Sequence, residues 1–108
     1  MKRSMSEANY LSPKSIDLTG TSSYKELKKT FELSTDLDFD KYVEVINEPP
    51  FVSNKRFIIF DRLWYQNEMI GHWCCYDQKT KTYYDSFGFI PPIELKGVER
   101  MNTKREQK

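Results

Sequence analysis

The sequence is short of most residues that would announce a chemistry. It holds one histidine, His72, and two cysteines, Cys74 and Cys75, which are adjacent. Adjacent cysteines cannot bridge each other without strain, so there is no disulfide framework. One imidazole and two neighbouring thiols do not make a zinc spacing, so neither a metal nor another cofactor is expected. Charge of one sign is lacking too. The 17 basic residues nearly balance 16 acidic ones, a net charge of +1, which gives no general pull toward nucleic acid or a membrane surface. No apolar run is long enough to span a bilayer. Met1-Lys2-Arg3-Ser4 is basic but is not followed by the apolar stretch of a signal peptide. The expectation is an intracellular, reducing setting, without secretion and without a membrane partner.

What is present is aromatic. Hydrophobic residues make up only 38 % of the 108 and charged residues 31 %, enough for one domain with a thin core. Phe, Tyr and Trp at 15 % compensate, because each buries a large area. Residues 1–22 are rich in Ser, Thr, Asn, Pro and Lys without an apolar period, and read as a disordered tail. The folded part is expected over 23–108.

Ser23-Tyr24-Lys25-Glu26 is a capping-box pattern. It predicts a helix to about Leu33, with Tyr24, Leu27, Lys28 and Phe31 on one stripe. Ser34-Thr35-Asp36 offers caps for a second helix, with Phe39, Tyr42, Val43 and Ile46 at helical spacing and Pro49-Pro50 as its stop. Arg56-Phe57-Ile58-Ile59-Phe60 is apolar almost throughout, as in a strand covered on both faces. Pro91-Pro92 suits the first turn of a helix over Ile93-Glu94-Leu95-Lys96. From Glu99 onward the chain is strongly charged and reads as a solvated end. These elements make an α+β class: short N-terminal helices packed on a small antiparallel sheet.

The centre of that sheet is Gly71 to Gly88. Two aromatic and β-branched runs flank Asp77-Gln78-Lys79-Thr80, the pattern of a β-hairpin. A turn centred between Gln78 and Lys79 sets His72 directly opposite Asp85, on the same face. An imidazole beside a carboxylate is two-thirds of a nucleophile–His–acid triad. It is also a common polar contact on a sheet face, and the register alone leaves both readings open. Cys74 shares the face of His72, but strand rise keeps i and i+2 neighbours about 6.5–7 Å apart, beyond proton-transfer reach. Cys75 faces the other way. Both thiols are expected to be packed and inert.

His72-Trp73, then Tyr83-Tyr84-Asp85-Ser86-Phe87-Gly88, then Pro91-Pro92, resembles the core signature of the adenain-like cysteine proteases. That clan includes the adenovirus protease, proteases of other large DNA viruses and of polinton-type and virophage elements, and more distantly the SUMO-specific proteases. The likeness covers about the second half of the chain. It implies His72 as general base and Asp85 as the acid that orients it, with Trp73 beside the base as a substrate contact. Asn102 to Gln107 resembles the segment leading to the family's oxyanion-hole glutamine, which would be Gln107. The family's nucleophilic cysteine lies further downstream, and no cysteine follows Cys75 among these 108 residues. The expectation is therefore a viral or mobile-element type of thiol endopeptidase fragment, found in a host cell or virion and inactive alone. Its partners would be a peptide or protein substrate and a complementary segment that supplies the thiol. The charge balance speaks against nucleic acid, which the resemblance leaves open. The alternative is a non-catalytic peptide- or protein-binding module on the same scaffold.

Overall fold

The computed structural model describes residues 16–18, 20–21, 23–61 and 73–102. Two helices, α1 (Tyr24–Thr35) and α2 (Phe39–Tyr42), precede and lead into a sheet of five strands. These are β1 (Val43–Val45), β2 (Phe57–Asp61), β3 (Trp73–Asp77), β4 (Thr82–Tyr84) and β5 (Arg100–Asn102), lying side by side in chain order. The α+β class holds. The sheet is mixed rather than antiparallel: β2, β3 and β4 form an antiparallel centre, while β1 and β5 run parallel to their neighbours at the two edges.

Ser23 caps α1 as its sequence pattern predicts, its hydroxyl accepting from the Glu26 N–H at 3.1 Å. The helix buries Leu27, Phe31 and Thr35. Asp36 then takes a left-handed φ of 63° and ends it, a conformation that Asp tolerates better than most residues. The Glu32 carboxylate accepts from the Phe39 N–H at 2.8 Å, which ties the end of α1 to the start of α2. Phe31 fills the space between, with ring centroids 5.7 Å from Phe39 and 5.1 Å from Phe57, both edge-on. Such pairs add to the area that the rings bury.

The expected second helix is cut short. It ends at Tyr42, and Val43-Glu44-Val45 turns into β1. A Val-x-Val run suits a pleated strand, and parallel pairing with Phe57, Ile58 and Ile59 outweighs the helical spacing. The helix expected after Pro91-Pro92 is also replaced. A single turn forms there, with the Leu95 N–H donating to the Pro92 carbonyl at 3.0 Å. Ile16 and Leu18, within the segment read as a tail, are buried in the core.

Strand alternation divides the core in two. On one face Ile16, Leu18, α1 and α2 cover Val43, Phe57, Ile59, Cys75 and Tyr84. On the other, Phe60, Cys74, Tyr76 and Tyr83 pack with Leu95, Phe51, Val98 and Met101. The strand β2 is buried on both faces, as its apolar run predicts.

Candidate active site at one end of the sheet

The β3–β4 ladder pairs Cys75 with Tyr84, Tyr76 with Tyr83 and Asp77 with Thr82. The turn is therefore centred between Lys79 and Thr80, one residue later than the sequence predicts. Asp77 caps it, with Oδ1 accepting from the Lys79 N–H at 3.0 Å. Lys81, at φ 60°, closes the loop. Its carbonyl accepts from the amides of Glu99 and Arg100, and the Arg100 side chain donates to the Thr80 carbonyl. These bonds to β5 hold Thr80 and Lys81 in a four-residue connection. One more step of the ladder would set Asp85 across from Cys74, two positions later along the chain than the partner that the expected register gave it. The pairing moves by two positions along β3, which keeps faces unchanged.

Asp85 directly follows β4 and is only 1 % exposed. Its Oδ2 accepts from the Tyr83 hydroxyl at 3.3 Å, and its Oδ1 from the Phe87 N–H at 2.9 Å. Its carbonyl accepts from the Gly88 N–H at 2.9 Å, and Gly88 adopts the left-handed φ of 86° that this tight turn needs. The carboxylate is thus fixed at the sheet end.

His72 and Gln107 lie outside the described residues. The described residues nearest to them in the chain are Trp73, one position away, and Asn102, five positions away. β3 starts at Trp73, β4 ends at Tyr84, and β5 ends at Asn102, which pairs with Tyr84. Because β4 and β5 are parallel and β3 is antiparallel to β4, all three termini emerge at the same end of the sheet as Asp85. The sequence reading missed β5. Val98 and Met101 both pack against the second core, but they stand three positions apart among charged residues, which gives no period-2 strand signal.

Trp73 is half-buried and packs against the helix-side core. That is the face opposite Cys74 and Tyr83. Cys74 and Cys75 are both fully buried. Burial pushes the Cys75 thiol well above its ordinary value, with the nearby Asp77 adding to the shift, so it stays protonated and poorly nucleophilic. Among the described residues no cluster of His, Cys, Asp and Glu could hold a metal ion, and no helix is long and apolar enough to cross a membrane. Comparison with protein-family models, with curated proteins and with solved structures finds no match.

Proposed function

We propose that this chain supplies the base and the orienting acid of an adenain-like thiol endopeptidase. In this reading His72 takes the proton from a cysteine thiol and the thiolate attacks the scissile peptide carbonyl. The imidazolium then returns the proton to the leaving amine. Asp85 accepts from the imidazole and fixes its tautomer. Gln107 donates a hydrogen bond to the developing oxyanion. The thiol comes from polypeptide outside these 108 residues, since both cysteines present are buried. The observation that carries the reading is topological. The start of β3, the end of β4 and the end of β5 converge beside a buried, hydrogen-bonded aspartate.

The test is labelling with an electrophilic peptide probe. The 108-residue chain is compared with the same chain joined to a downstream cysteine-containing segment, with His72→Ala in each. Labelling confined to the joined chain and dependent on His72 supports the reading. Labelling that survives His72→Ala contradicts it.

A second reading is a non-catalytic peptide-binding module. The observation that favours it is that no thiol among the described residues is accessible. It gains if neither chain labels while the protein still captures a peptide.

A further inference from the structure

The other end of the sheet holds a groove of about 800 Å³, lined by Leu37, Lys41, Tyr42, Asn54, Lys55, Arg56, Gln78 and Lys79. It lies where α2 enters β1, where β2 starts and where β3 turns into β4. Four strand intervals separate Trp73 from Asp77, or about 13–14 Å by strand rise, so it is a separate place from the Asp85 end.

Its charge is one-sided. The lining has three lysines and an arginine and no carboxylate, in a chain whose total is nearly neutral. Asp36 and Asp38 flank Leu37 in the chain, and the two acids beside Gln78 and Lys41 are committed elsewhere. Asp77 is fully buried and held by Arg56 through two bonds of 3.0 and 2.9 Å. The Asp40 carboxylate is 3.0 Å from Lys28, on the far side of α2, and only its backbone carbonyl turns to Lys55 Nζ. Among the described residues, Lys41, Lys55 and Lys79 have no carboxylate partner. The walls are also fixed: the Gln78 side-chain amide donates to the carbonyls of Ser53 and Lys55 at 3.2 and 2.6 Å, and its backbone N–H to that of Arg56 at 2.8 Å.

We propose that this groove docks an acidic, partly apolar peptide segment of a partner protein. The ammonium groups are point charges on flexible stems, suited to several dispersed carboxylates. Leu37, Tyr42 and the lysine stems offer apolar contact between those charges. The guanidinium best suited to gripping a phosphate in a two-pronged bond is engaged by Asp77. That feature and the near-zero net charge disfavour a nucleic acid. The groove is independent of the proposed peptidase chemistry and would serve either reading of the function.

The test is fluorescence anisotropy of the whole chain with a fluorescein-labelled peptide of Asp, Glu and Leu in a Gly-Ser background, at low and physiological salt. A single-stranded oligonucleotide of equal charge runs in parallel. The peptide is expected to bind more tightly than the oligonucleotide. Lys41→Glu with Lys79→Glu should weaken it about tenfold or more, and Lys41→Gln with Lys79→Gln should weaken it less. Lys25→Glu with Lys29→Glu, exposed on α1, should leave binding unchanged apart from general screening. Circular dichroism checks that each variant is folded. The proposal is overturned by equal losses in both charge-reversed pairs, by tighter binding of the oligonucleotide, or by no binding of the peptide to the wild-type chain.

Discussion

Two buried aspartates stand at opposite ends of the same sheet, and they are held differently. Asp77, at the turn end, is fully buried and gripped by the Arg56 guanidinium in a two-pronged bond, with the Lys79 amide as a third donor. Arg56 in turn lies over the Phe57 ring, 4.8 Å from its centroid. Asp85, at the other end, is held by a tyrosine hydroxyl and a backbone amide. The first arrangement neutralises a charge and staples the turn to the start of β2. The second orients a carboxylate at the sheet end through a tyrosine hydroxyl and a main-chain amide. The same residue type is a structural fastener in one place and, in the proposed reading, part of the chemistry in the other.

The largest expected effect breaks the fastener. Arg56→Ala leaves Asp77 as a buried charge without its cation and should cost about 3–5 kcal/mol in urea unfolding. Replacing both partners with apolar residues of similar size should cost much less, because no charge then remains buried. Asp85→Asn should cost only about 1 kcal/mol or less, since the side-chain oxygen can still accept from Phe87. If Asp85→Asn proves as damaging as Arg56→Ala, both aspartates are fasteners and the contrast fails.

Alkaline pH probes the core between the two ends. Burial moves the pKa of Cys75, Tyr76 and Tyr84 above their ordinary values, with Asp77 adding to the shift at Cys75 and Tyr84, and Glu99 and then Asp77 at Tyr76. In the unfolded chain these groups lose their protons first, so above about pH 8.5 for the thiol and about pH 10 for the phenols the folded state binds more protons. Stability should be fully present below those values and fall as pH rises toward the folded-state values. A thermal melt series from pH 7 to pH 11 reads this, and a flat series would contradict the burial account. The smallest effect is on reactivity under native conditions. Neither Cys74 nor Cys75 should react with a thiol reagent until the chain is unfolded in urea.

The parts of this architecture that were legible in the sequence depend on local chemistry. The Ser23 cap, the apolar run of β2 and the side-chain cap that Asp77 gives its turn each follow from a few neighbouring residues. What was not legible depends on distant partners. Val43-Glu44-Val45 carries a helical spacing and a strand composition at once, and only pairing with β2 decides between them. The register of the hairpin is set by Arg100 and the amide of Glu99, which bond Thr80 and Lys81 from nearly twenty positions away. In the hairpin, the ladder pairs Cys75 with Tyr84, two positions off the expected register along β3. The approach of β5, which brings Asn102 beside Tyr84, was not read at all.

The central claim is that Asp85 orients His72. The most direct measurement is heteronuclear NMR of the single imidazole in the 108-residue chain and in Asp85→Asn. The account predicts one dominant tautomer with a slowly exchanging, low-field ring N–H, lost or mixed in Asp85→Asn while the fold is retained. An imidazole with the same tautomer mixture and rapid N–H exchange in both proteins would contradict it.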